Sequence, residues 1–242
     1  MRYDITSRGY LARARERLAE NTPQALFYAA FELRCGIEAR MEEYLEVWEH
    51  VAQKKKTGWQ IAVLGRNVEK AFSSHAKVVR WAVQDRATKK ATIIFYYTPV
   101  TSQLQKAGEK LGNHLHSMKH YRSEDDKYWN DLRTDLLKTA SLLEGANTGT
   151  LLGPPLMRRG TSKVDMRLEV PPGVDLKEMM KPMLKPTSVN VTYHESLPKE
   201  IEAEAIIPVH AIRRPRGERW CCFQPSESCQ FHCGLHGVLT DE

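Results

Sequence analysis

Three histidines, His114, His116 and His120, fall within residues 110–120 (KLGNHLHSMKH), together with Lys110 and Asn113. Imidazole exchanges protons near neutral pH. A neutral ring beside cationic side chains can therefore take the proton of a ribose 2′-hydroxyl while lysine or arginine stabilises charge growing on the phosphate. Metal-independent RNA cleavage needs little more. Lys110, Asn113 and His116 follow one another at steps of three and are expected to share a helical surface near a helix end, with His114 beside them. These four are the candidate catalytic residues. The competing reading is that the histidines cap a helix or meet solvent.

The surrounding charge favours a polyanion. Residues 1–50 hold 7 basic and 9 acidic residues, whereas residues 51–122 hold 14 basic and only 3 acidic, a local excess of +11 in a chain whose formal net charge is +6. A local excess of this size attracts nucleic acid, unless it is simply a solvated Lys/Arg face. Arg66, Arg80, Lys119 and His120 are the candidate contacts in this region. Farther on, Arg213, Arg214 and Arg216, with Arg219, form a short basic run broken by Pro215 and Gly217. Such a run suits a phosphate backbone, or equally a flexible surface.

The cysteines are unevenly placed. Cys35 stands alone, while Cys221, Cys222, Cys229 and Cys233 crowd near the carboxyl end among His232 and His236. Cys229, His232, Cys233 and His236 follow at steps of three, one and three, which on a helix turns four thiolate and imidazole ligands the same way, as a structural zinc site requires. Only one cluster is visible where zinc modules usually pair two, so an unstructured or thiol-reactive tail and a disulfide stay open beside zinc. No other cofactor is suggested. The phosphate loop, the G-x-S-x-G elbow, the H-E-x-x-H helix and the G-x-G-x-x-G turn are all missing, which disfavours most nucleotide-driven and hydrolytic chemistry.

The elements that would position these residues are legible in part. The chain has 242 residues, 41% of them hydrophobic and 27% charged, enough apolar surface for a core. Two unequal units are expected, because domains run to ~100–150 residues. No apolar run approaches a membrane span and the first residues lack a secretion signal, so a soluble cytoplasmic protein is expected. Residues 10–20 read as a short helix. Thr22 followed by Pro23 starts a long one on which Leu26, Ala30, Leu33, Ile37, Met41, Tyr44 and Trp48 form a stripe at steps of three and four. Lys54 to Lys56 mark a loop, and Thr57 is expected to cap a helix with Ile61, Leu64, Val68 and Phe72 aligned.

Residues 78–83 and 91–100 are rich in β-branched and aromatic side chains about a polar connection, which predicts a β-ribbon inserted between helices. Residues 101–118 and 124–144 return to helical spacing, the second with Trp129, Leu132, Leu136, Leu137 and Leu143 on its face. The stretch GANTGTLLGPPLMRRG breaks both helix and strand, and three short alternating runs, KVDMRLEV, SVNVTYHE and EAEAIIPVHAI, follow it as a small sheet.

The helix FYAAFELRCGIEARMEEYLE, followed far downstream by KLGNHLH and a closing helix of the W-x2-L-x3-L type, resembles the HEPN superfamily of helical bundles of prokaryotic toxin and defence systems. The likeness covers residues 1–145. It implies an RNA-directed protein, in many members a ribonuclease with a composite site across a homodimer, built on an arginine, four to six intervening residues and a histidine. No histidine of this chain has an arginine at that distance; Lys110, with five residues before His116, comes nearest, and lysine lacks the planar fork of arginine.

The architecture expected is α+β: a helical domain over residues 1–145 with an inserted ribbon, a linker at 146–160, a small β-rich domain at 161–219 and a Cys/His tail at 220–242. Its function is read as that of a HEPN-like, RNA-directed protein of a defence or toxin system, possible endoribonuclease activity included. The alternative is a non-enzymatic nucleic-acid-binding or scaffolding subunit of a larger complex. Nucleic acid, foremost RNA, and a homodimer or larger protein complex are the expected partners, with no membrane.

Overall fold

The computed structural model describes residues 3–72, 77–116, 121–123, 125–157, 164–169 and 186–197, with Asp175 and Lys181. It is a mixed helix and sheet structure that divides into two compact units, one built from residues 2–76 and 99–148 and the other from residues 77–98 and the described residues from 149 onward. The chain therefore passes between units at 76–77, 98–99 and 148–149, the last of these inside the Asn/Thr/Gly/Pro-rich stretch.

The first unit is a helical bundle. Helix α1 (Ser7–Glu20) begins at Thr6, whose hydroxyl accepts the Gly9 amide, and ends on Asn21 in the left-handed conformation at φ 53°. Helix α2 (Pro23–Glu46) starts as its sequence dictates, with the Thr22 hydroxyl accepting the Ala25 amide at 3.2 Å and Pro23 in the first turn. Its stripe makes α2 the hub of the bundle, packed against α1, α3 (Ile61–Phe72), α4 (Ser102–Gly112) and α5 (Lys127–Thr148). Leu26, Leu33, Ile37, Met41, Leu64, Leu104, Leu136 and Leu143 are all buried there.

One charged residue shares this core. Arg40 is fully buried, and its guanidinium donates to the Tyr44 hydroxyl at 3.0 Å, to the Ala146 carbonyl at 3.2 Å and to the Glu43 carboxylate at 3.0 Å. The Ala146 carbonyl belongs to the last turn of α5, where backbone oxygens lack helical partners, so Arg40 ties the end of one helix to the middle of another.

Three expected details differ. Helix α3 begins at Ile61 rather than at a cap on Thr57, after a 3₁₀ turn at Gln53–Lys55. Helix α5 begins at Lys127, with the Asp126 carboxylate accepting the Tyr128 amide at 2.9 Å. Leu137 is exposed, because Leu136 takes the inward position and adjacent helical residues point about 100° apart.

The second unit holds a three-stranded antiparallel sheet of order β2-β1-β5, formed by β1 (Val78–Asp85), β2 (Ala91–Tyr97) and β5 (Thr187–His194). The expected ribbon is β1 and β2, joined by a turn in which the Asp85 carboxylate accepts the Ala87 and Thr88 amides, both at 2.9 Å. The run expected to belong to a separate small sheet supplies β5, which pairs with β1 along its whole length, from Val78 opposite His194 to Asp85 opposite Thr187. Val78, Ala82, Ile94 and Tyr96 form its core cluster. A short ladder joins β3 (Leu156–Met157) to β4 (Val164–Asp165). Gly149 lies so close to β2 that a Cβ there would meet the Tyr96 carbonyl at 2.7 Å, which explains glycine at that position. The run 202–212 lies outside the described residues. Among the described residues no helix is long and apolar enough to cross a membrane.

Candidate nucleic-acid interface

The histidine cluster sits where α4 stops. Thr101 caps its start by accepting the Leu104 amide at 3.2 Å. Gly112 and Asn113 propagate a helix poorly, and the Asn113 amide turns back to the Lys110 carbonyl three residues earlier, which tightens the chain into a 3₁₀ turn at Asn113–Leu115. His116 then adopts extended backbone at φ −94° and ψ 161°. Lys110, Asn113 and His116 consequently do not share one helical surface, which corrects the sequence expectation. The helix ends between the first and second of them.

The tightened turn instead delivers His114, Leu115 and His116 to an open groove of about 630 Å³, whose other wall is Phe27, Tyr28, Phe31 and Glu32 of α2. Lys110 and Asn113 are exposed and stand outside this lining. His114 Nδ1 lies 3.0 Å from the Tyr128 hydroxyl, and burial pushes the imidazole below its ordinary pKa, partly opposed by the Asp135 carboxylate. At neutral pH His114 is therefore uncharged.

An aromatic chain braces the turn. The Tyr128 ring packs edge-on against Trp129 with centroids 5.0 Å apart, and Trp129 meets Phe27 at 5.7 Å and 88°. The Arg122 guanidinium stands 4.0 Å over the Tyr128 ring and pairs with Asp126 at 3.3 Å. Burial raises the Tyr128 hydroxyl above its ordinary pKa, with Arg122 opposing, so it stays protonated; in the His114 tautomer that carries its proton on Nδ1, that N–H donates to the Tyr128 oxygen and Nε2 is left unprotonated. On the α2 wall the Glu32 carboxylate accepts from Arg13 Nε at 2.9 Å and from the Tyr3 hydroxyl at 3.2 Å, while the Arg13 guanidinium lies 3.9 Å from the Tyr3 ring centre and 4.6 Å from that of Tyr10.

The remaining candidates are dispersed. Arg66 is exposed on α3 of the helical unit, and Arg80 is half-buried on β1 of the sheet unit. Lys119, His120, Arg213, Arg214 and Arg216 lie outside the described residues, as do the proposed zinc ligands Cys229, His232, Cys233 and His236. Among the described residues no group of three or more His, Cys, Asp or Glu side chains is placed to hold a metal ion.

Sequence reasoning missed the α2 wall and Tyr128. Phe27 and Phe31 carried a usable signal: two large aromatics four residues apart, off the stripe that Leu26, Ala30 and Leu33 define. Cys35, on the same helix, is half-buried, and burial with help from the Glu38 and Glu32 carboxylates pushes its thiol up to about 11. Iodoacetamide at pH 8 is expected to spare Cys35 in the folded chain and label it in urea, as read by peptide mass spectrometry. Rapid labelling of the folded protein would refute that environment.

No family model, no curated protein and no solved structure matches this chain.

Proposed function

We propose that this chain is an RNA-directed, HEPN-like protein of a prokaryotic defence or toxin system, working in the cytoplasm as a homodimer or within a larger complex, and that its groove cleaves RNA without a metal ion. The observation that carries this reading is the arrival of His114 and His116 in one open groove. His114, held neutral, takes the 2′-hydroxyl proton on Nε2; the 2′-oxygen bonds to phosphorus, the bond to the 5′-oxygen breaks, and His116 acts as the acid that supplies the proton that oxygen needs. The products are a 2′,3′-cyclic phosphate and a 5′-hydroxyl.

A second reading, a non-cleaving nucleic-acid-binding or scaffolding subunit, is favoured by a specific observation. Among the described residues no lysine or arginine lines the groove to meet the charge that builds on a transferring phosphate. Incubating the protein with a mixed structured RNA in EDTA separates the two. The cleaving reading expects fragments with wild type and intact RNA with His116→Ala. Intact RNA with both proteins, alongside retained RNA binding, supports the non-cleaving subunit. Zinc in the Cys/His tail remains a separate proposal about residues 229–236, checked by metal analysis of the purified chain.

A further inference from the structure

The groove has a feature that proton transfer does not use. Tyr28 is 63% exposed and Phe31 is 47% exposed, three residues apart on the helix that otherwise forms the hub of the bundle. Side chains at that spacing are neighbours on a helical surface. Both line the same groove as the two histidines.

We propose that Tyr28 and Phe31 form a base-stacking subsite for single-stranded RNA beside His114 and His116. This deepens the reading of the groove as RNA-directed and rests on it.

Three observations favour bases over an apolar protein segment. First, the aromatics alternate with polar groups, since the same lining contains two imidazoles and the Glu32 carboxylate. An apolar helix would cover the two imidazoles without offering them polar partners, whereas base edges can bond to them. Second, the volume of about 630 Å³ suits a ligand of a few nucleotides; pockets for compact ligands run to roughly 300–1,000 Å³, while protein partners use broader, flatter areas. Third, charge at the border suits a phosphate backbone. The Arg17 guanidinium lies 5.8 Å from the Tyr28 ring, and its pairing with Glu20 is a half-exposed contact, of a kind easily exchanged for phosphate.

Duplex RNA keeps its bases stacked on one another, so this subsite selects single strands. Stacking on aromatic side chains is also tolerant of sequence, because every base has a π-face.

The test is fluorescence anisotropy in EDTA with a short 2′-O-methyl oligoadenylate, which lacks the attacking hydroxyl and cannot be cleaved, compared with its duplex. Wild type is expected to prefer the single strand. Tyr28→Ala and Phe31→Ala are each expected to weaken single-strand binding about 5- to 150-fold. Tyr28→Phe should retain most of the affinity, and Tyr193→Ala, an exposed aromatic of the sheet unit, should bind as wild type does. Tyr28→Trp adds a fluorophore whose emission should be quenched on binding.

Wild-type binding unaffected by Tyr28→Ala and Phe31→Ala, with circular dichroism showing all variants folded, would overturn the stacking subsite and leave the RNA reading intact. Failure of wild type to bind either the single strand or the duplex would overturn both.

Discussion

Arg40→Ala is expected to destabilise the helical unit by about 3–5 kcal/mol, the range for breaking a buried charged network by removing one partner. The guanidinium is fully buried and reaches Tyr44, Glu43 and the Ala146 carbonyl together. Alanine leaves a cavity, an acceptor in the final turns of α5 without its guanidinium donor, and a half-buried Glu43 carboxylate without the Arg40 guanidinium. Lysine keeps the charge but offers no planar fork, so Arg40→Lys should recover only part of the loss. Urea denaturation followed by circular dichroism checks this. A midpoint within error of wild type for Arg40→Ala would mean that the network contributes nothing net.

His114→Ala is expected to lower RNA cleavage about 10²- to 10⁴-fold, the usual contribution of a positioned general base. Its pH dependence is more diagnostic than its size. Because burial holds the His114 pKa below 6.5, the neutral base survives acidification past that value, and the acid limb of the rate profile should lie below pH 6.5. The same shift has a consequence for stability. The fold favours neutral His114 over the protonated form, so the unfolded chain binds the extra proton first. Stability from this residue is complete above pH 6.5 and is lost as pH falls towards the depressed folded value. In His114→Gln that part of the pH dependence should vanish, a readout available even if no RNA is cut. An unaltered stability profile would show that His114 is no more buried than a surface histidine.

How far the sequence reveals this molecule depends on the distance over which each feature is decided. Helix α2 was legible to within its first turn, because Thr22, Pro23 and the Leu26 to Tyr44 stripe are local signals that agree with one another. The end of α4 was not. The same Gly112 and Asn113 could lie inside a helix or stop it, and the choice depends on packing that periodicity does not encode. Arg40 shows a subtler limit: it falls on the apolar stripe between Ile37 and Tyr44, which is a signal of burial, but its partner at Ala146 is a backbone carbonyl and leaves no trace in residue types. The two strands of the ribbon were visible from composition and turn chemistry. The pairing of β1 with β5 was not, since any strand of suitable length can pair with an open edge and only the folded chain selects one.

The histidines of the candidate site were singled out by chemistry alone, and two of them do meet in the groove. Their aromatic neighbours were hidden in a helix read only for its core.

The discontinuous sheet also bears on the order in which the protein is assembled during synthesis. The helical unit has all its described segments once residue 148 has emerged, and its contacts along α1 and α2 are local, which favours early and rapid folding. Strand β1 must wait for Thr187–His194 before its second edge is paired. During that interval the hairpin offers an unsatisfied row of backbone donors and acceptors to any other extended chain. Pausing translation between residues 148 and 187 should therefore lengthen the period of greatest aggregation hazard, and the nascent chain at that stage is where a chaperone would have most to cover.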